Sequence, residues 1–224
     1  MTERDMTALG GNGFHFEDIP SEDVDRMEAL YGPLGDSVRA LVDAVIRTEA
    51  DADTIQQARS EIDAVTARLR ERQSDGPFGI RFNRAGRAWS WGNAAVGLRN
   101  AVAPPLVIVH GQDGLSHTDF ELGAAYEGPP GKVHGGVLAL VLDHLMGETA
   151  STGGRPTATG TLTLRYRQAT PLGPLRAEGR IDRVEGLKTF VVAHISGPEG
   201  VTVEADGVFI LPRWARDEHD GRPT

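Results

Sequence analysis

Residues 137–146 constrain this chain more than any other stretch. Val137, Leu138, Leu140, Val141, Leu142, Leu145 and Met146 put apolar side chains on almost every side of a helix. A helix with one apolar stripe can lie on a sheet, but a helix that is apolar nearly all round has to be enclosed. The flanking sequence says by what. Residues 106–110 and 118–126 read as strands before it. After it, 161–167, 175–183, 190–195 and 201–211 carry period-two alternation or β-branched and aromatic runs, with Ser196-Gly197-Pro198-Glu199-Gly200 as a turn. No second long helical pattern follows residue 160, which disfavours βαβ crossovers and a parallel sheet. The architecture predicted is α+β: an antiparallel β-sheet wrapped around one long buried α-helix.

The first third is different in kind. Residues 1–75 hold 17 Asp/Glu against 8 Lys/Arg, whereas 76–224 hold 15 of each, so the whole excess of the net charge of −9 lies there. Residues 1–19 are Gly-rich and polar and read as a flexible N-terminus. Residues 20–75 read as a helical extension. Val38, Leu41, Val42, Val45 and Ile46 recur at helical spacing, as do Ile55, Ala58, Ile62, Val65 and Leu69, and Asp51 offers an N-cap between the two runs. Such stripes are expected to be packing faces that cover the second domain or its partner. The turn-rich stretch 73–79 places a boundary there, followed by a main domain over 76–212 and a polar C-terminal tail over 213–224. Trp89 and Trp91 suggest a short strand packed in a core.

Composition removes several function classes. Neither segment offers a cationic face for nucleic acid. No apolar run approaches the roughly 20 residues of a bilayer span, and the N-terminus has no signal-peptide pattern, so a cytoplasmic protein is expected. With no cysteine there is no disulfide, thiol nucleophile or Cys-ligated zinc. The seven histidines show no metal-ligand spacing. Gly10-Gly11-Asn12-Gly13 lacks the preceding strand of a nucleotide loop. No Gly-x-Ser-x-Gly elbow appears.

What remains is concentrated around the apolar helix. His134-Gly135-Gly136 sits where a loop enters it. The first N–H groups of a helix have no internal partner and carry partial positive charge, and glycines let a ligand approach them, so this turn suits a developing oxyanion. Asp143 lies inside the apolar stretch. A carboxylate there is expected to be buried, and desolvation makes it a stronger base or nucleophile. Gly135 and Asp143 are 8 positions apart, roughly 12 Å along a helix rising about 1.5 Å per residue. If both serve one reaction, the glycine turn of one chain must meet Asp143 of another. The chemistry therefore implies at least a homodimer with active sites at the interface, and a tetramer is equally open.

The segment 128–147 (Gly128-Pro129-Pro130-Gly131-Lys132-Val133-His134-Gly135-Gly136, then the helix through Asp143 to Gly147) resembles the PaaI-type branch of the hotdog-fold, 4HBT-like thioesterase superfamily. It is similar to the branch with mammalian thioesterase superfamily members 4 and 5. The segment 157–173, Thr-Ala-Thr-Gly-Thr-Leu-Thr-Leu-Arg-Tyr-Arg-Gln-Ala-Thr-Pro-Leu-Gly, resembles the next strand of that family and its exit turn. The similarity covers about 104–212. It implies a hotdog fold and hydrolysis of acyl-CoA to free acid and coenzyme A. No cofactor is implied beyond the coenzyme A carried by the substrate. Asp143 is then the general base or nucleophile, His134, Gly135 and Gly136 hold the thioester oxygen, and Thr159 orients the water or the carboxylate. Some branches carry Asn or Gln six residues before the histidine, where this chain has Gly128.

Arg165 and Arg167, turned from the apolar stripe of their strand, are candidates for coenzyme A phosphates, and Lys132 is a further one. Two other functions stay open on this sequence. One is a non-catalytic acyl-CoA or fatty-acyl binding module. The other is a hydratase on the same fold, for which Asp113 and His117 would be the pair.

Overall fold

A computed structural model describes residues 13–111 and 114–216. The chain divides into two compact units, 1–103 and 104–224. The boundary lies beyond the turn at 73–79, so 76–103, which the sequence assigned to the main domain, belongs to the first unit. The reason is aromatic. Phe78, Trp89 and Trp91 form a core with Val24, Met27 and Tyr31, and Trp91 stands 5.9 Å from Phe78 and 6.1 Å from Trp89.

In this unit β1 (Phe14–Phe16) is followed by α1 (Ser21–Arg47) and α2 (Ala52–Arg70), then β2 (Ile80–Phe82) and β3 (Ala88–Trp89). β1 pairs parallel with β2, and β2 pairs antiparallel with β3. The N-terminal segment is therefore held in a sheet from residue 14, a correction to a flexible 1–19; residues 1–12, with Gly10–Asn12, lie outside the described residues. Asp51 caps α2 by accepting the Thr54 N–H at 2.9 Å. Within this unit the helical stripes stay largely open. Val38, Leu41, Val42, Val45 and Ile46 are 37–59% exposed, and α2 buries no residue. Only the first part of α1 reaches the aromatic core.

Arg39 fastens the following loop to α1. Its guanidinium donates to the carbonyls of Gly97 and Leu98 at 3.1 Å, and of Asn100 and Ala103 at 3.2 Å. The loop lies so close that a Cβ on Gly35 would overlap the Leu98 carbonyl oxygen.

The second unit has the predicted wrapped helix. β4 (Val109–His110), β5 (Leu115–Leu122), α3 (Gly135–Ala150), β6 (Ala158–Tyr166), β7 (Gly173–Glu185), β8 (Lys188–Gly197) and β9 (Gly200–Ile210) build one sheet in the order β4-β5-β7-β8-β9-β6, every pairing antiparallel. Leu138, Val141, Leu142, Leu145 and Met146 of α3 are buried with Ala177, Val191, Ala193, Ile195, Val203, Ala205 and Phe209 of the sheet. Burial stabilises each large side chain by about 1.5–3 kcal/mol. β7 alternates weakly in sequence because its inward residues include Ala177 and Gly179. A Cβ on Gly179 would lie 3.2 Å from Thr149 Oγ1, so the helix needs small residues beneath it.

Two strand expectations shorten. Residues 106–108 are unpaired, and 124–126 form a 3-10 turn. The tail is also not wholly free: Arg213–Ala215 form another such turn with Ala215 buried. Residues 217–224 lie outside the described residues. Among the described residues, no helix is long and apolar enough to cross a membrane.

Replacing Gly35 with alanine tests the close approach in the first unit. Helix propensity alone would favour alanine by about 1 kcal/mol. The overlap with Leu98 is expected to reverse that sign, at a cost of about 1–3 kcal/mol. Chemical denaturation should show a lower midpoint for Gly35→Ala; a higher one would mean the loop yields.

Candidate active site

The site is assembled on α3 from its N-terminus and one mid-helix carboxylate. His134 is the N-cap, with extended backbone (φ −63°, ψ 131°), and its Nδ1 accepts the Gly136 N–H at 3.0 Å. An accepting Nδ1 carries no proton, so this imidazole is the Nε2–H tautomer. The His134 carbonyl takes the N–H groups of Val137 and Leu138. Gly136 is thus occupied by its own cap. Of the two glycine N–H groups at this turn, that of Gly135 is the one without an acceptor among the described residues.

Two further contacts hold this turn. The Tyr166 hydroxyl, from β6, donates to the Gly135 carbonyl at 2.9 Å. A Cβ on Gly135 would press within 3.3–3.4 Å of the Tyr166 ring and hydroxyl. Sequence reasoning missed Tyr166, although it shares the inward phase of Leu162 and Leu164. On the other side, a Cβ on Gly128 would come 2.8 Å from His134 Cα, so glycine lets the Gly-Pro-Pro-Gly loop lie against the cap. That loop closes on itself: Gly128 N–H donates to the Lys132 carbonyl at 2.9 Å, and Gly131 N–H to Glu127 Oε1 at 2.6 Å.

Asp143 is half-buried, not fully buried as expected. Its face of α3 is turned to β6, the strand at the open edge of the sheet. Thr159 Oγ1 donates to Asp143 Oδ1 at 2.8 Å. This contact depends on a β-bulge. Thr159 pairs with Phe209 and Thr161 with Val208, which leaves Gly160 as an extra residue. Phe209 points inward, so Thr159 does too, whereas strict alternation from Leu162 and Leu164 would turn it outward. Space at Gly160 is tight: a Cβ there would lie 2.7 Å from Ile210 Cδ1, which would have to shift, and 3.2 Å from the Val208 carbonyl oxygen.

The structure thus joins Asp143 to Thr159 at one place and His134 to Gly135 and Gly136 at another. Both belong to the same continuous helix, so they stay roughly 12 Å apart within one chain. The cationic candidates are not gathered there. Arg165 pairs with Asp206, and Arg167 donates to Glu204 at 2.8 Å, on the sheet face turned from α3. Lys132 lines a separate cavity of about 180 Å³ with Gln168, Pro171 and Glu199. His117 pairs with Val109 and Glu178 in the outward register of β5, and Asp113 lies outside the described residues.

One histidine beside the carboxylate was not singled out from sequence. His144 is largely buried, and its Nε2 has no hydrogen-bond partner among the described residues. Glu148 Oε1 lies 3.9 Å away, and the other Glu148 oxygen stands 3.6 Å from His110 Nε2. Burial pulls the His144 pKa below the ordinary 6.5, against the opposing charges of Glu148 and Asp143. The native state then resists a proton that the unfolded chain accepts. This stability contribution is present above pH of about 6.5 and is lost as pH falls through the lowered native value. Melting temperature is expected to drop less between about pH 7.5 and 5 in His144→Leu than in the unmodified chain. Equal drops would mean the buried ring contributes nothing to acid sensitivity.

Residues 130–204 match the family model of the thioesterase superfamily (4HBT). Over 94 residues the chain is 32% identical to the human acyl-coenzyme A thioesterase THEM5, a stretch covering 41% of this chain and 38% of that protein. It is also 32% identical over 94 residues to the Xenopus laevis acyl-coenzyme A thioesterase THEM4, covering 42% of that protein. The chain's matches thus span less than half the length of these relatives. The crystal structure of a thioesterase superfamily protein aligns far more completely, with 32% identity and a TM-score of 0.72, over 80% of this chain and 94% of that one. With its enclosed helix, its antiparallel wrapping sheet and that near-complete alignment, this chain belongs to the thioesterase superfamily.

Proposed function

We propose that this chain hydrolyses an acyl-CoA thioester to the free acid and coenzyme A, with Asp143 as general base or nucleophile. The observation that carries the reading is the Thr159–Asp143 hydrogen bond, which fixes one carboxylate oxygen and leaves Oδ2 for chemistry. In the base form, Oδ2 takes a proton from water as its oxygen attacks the thioester carbonyl carbon. The carbonyl electrons move to oxygen, where Gly135 N–H and the α3 dipole stabilise the charge. Collapse breaks the C–S bond, and the thiolate leaves with the proton held by Asp143. In the nucleophile form, the carboxylate attacks first and water cleaves the resulting anhydride. A single turnover in ¹⁸O-water reads out the nucleophile form when water attacks the aspartyl carbon of the anhydride, because label then enters the Asp143 carboxylate; the base form never labels Asp143.

The reading requires a second copy, because one helix holds its glycine turn and its carboxylate too far apart. Two features support this homodimer. Gly136, Leu140, Asp143 and Gly147 lie along one line of α3 that its own sheet leaves partly uncovered. Among the described residues β6 pairs only with β9, which leaves its outer backbone edge open beside them.

Purified protein is expected to release free thiol from a panel of acyl-CoAs varied in length and aromaticity. Asp143→Asn should abolish release, and Thr159→Ala should lower kcat roughly 10- to 100-fold. Binding without thiol release, or full activity in Asp143→Asn, would defeat the proposal. A second experiment tests the shared site. Asp143→Asn and Gly135→Val are each expected to be inactive. After mixed refolding, half the dimers are heterodimers with one intact site each, so about a quarter of the original activity should return. No recovery from stable, dimeric mixtures would place both groups in one subunit's site.

A further inference from the structure

A cavity of about 540 Å³ opens in the first unit, within the size range of small-molecule sites. Leu34 and Val38 of α1 and Leu69 of α2 supply aliphatic walls and are 37–51% exposed. Tyr31 and Phe78 close one side. Arg72 and Arg99 are its charged residues, and no acidic side chain among the described residues lines it. That is unusual where 17 acids face 8 bases over 75 residues. Arg39, Arg81, Arg84 and Arg87 of the same unit each hold a carboxylate. Arg72 and Arg99 hold none among the described residues.

Arg99 is also held in place. Its backbone N–H donates to the Trp91 carbonyl at 3.0 Å, in the loop that Arg39 fastens to α1. Its guanidinium sits 3.9 Å from the Tyr31 ring centre and 5.4 Å from that of Phe78. Stacking leaves the N–H edge of the fork free to donate.

We infer that this cavity binds a fatty carboxylate, with the alkyl chain along Leu34, Val38 and Leu69 and the carboxylate on Arg99 and Arg72. The walls are aliphatic, and Arg99 covers Tyr31 and Phe78, so a nucleobase has no free ring to stack on. A planar guanidinium matches a carboxylate in bidentate geometry. The inference does not rest on the hydrolytic reading, since it concerns the other unit. The acid released by thioester hydrolysis would nevertheless belong to this ligand class, so the cavity offers it a second place to bind.

The full chain is labelled with a photoactivatable hexadecanoic acid and with the corresponding hexadecanol, and cross-linked peptides are mapped. Acid labelling is expected in 31–38 and 69–78, competed by unlabelled hexadecanoate but not by coenzyme A. Arg72→Ala and Arg99→Gln should each weaken that labelling affinity about tenfold. Arg72 is exposed and outside the aromatic stack, so its variant tests the site even if Arg99→Gln disturbs folding. Labelling confined to 104–216, equal labelling by the alcohol, or labelling unchanged in a folded Arg72→Ala would overturn the inference.

Discussion

Enclosure of α3 is the constraint from which the second unit follows. Leu138, Val141, Leu142, Leu145 and Met146 leave the helix only one narrow side fit for water, so the sheet must curve around the rest. Curvature dictates the rest of the pattern. Small residues, Ala177, Gly179 and Ala193, stand on β7 and β8 beneath the helix, and the larger Ile195 and Phe209 are fully buried beside them. One line of the helix remains partly uncovered, at the open edge next to β6. Asp143 stands on that line.

Much of this was legible in the residues. An apolar decapeptide, alternating runs after it and the absence of a second late helix were enough for the wrapped-helix architecture. His134, Gly135, Gly136 and Asp143 stood out because glycines at a helix entry and a carboxylate in an apolar run are each costly without a purpose. What the sequence hid was phase. Thr159 falls out of step with Leu162 and Leu164, and only the extra residue at Gly160 brings it to Asp143. Tyr166 was in step but had no marker for its bond to the Gly135 carbonyl.

The first unit was read less well, for a related reason. Periodicity located α1 and α2, yet periodicity cannot say what covers a stripe. Val45 and Ile46 stay open because the aromatic core reaches only the first turns of α1. The unit boundary moved to 103 because Trp89 and Trp91 pack with Val24, a contact between residues more than sixty positions apart. Short-range signals such as the turn at 73–79 mark where a chain bends, not where a core ends.

The bulge in β6 has a consequence for how such a site changes over time. In an unbroken strand every residue is locked to its neighbours' alternation, so a hydroxyl can be gained only by substitution at a position already facing the helix. An inserted residue works like a frameshift in side-chain direction. Ahead of Gly160 every side chain trades faces, while Leu162, Leu164 and the packing behind them stay in frame. Chemistry at the Thr159 end can therefore be rewritten by lengthening or shortening the strand by one, without repacking the interior.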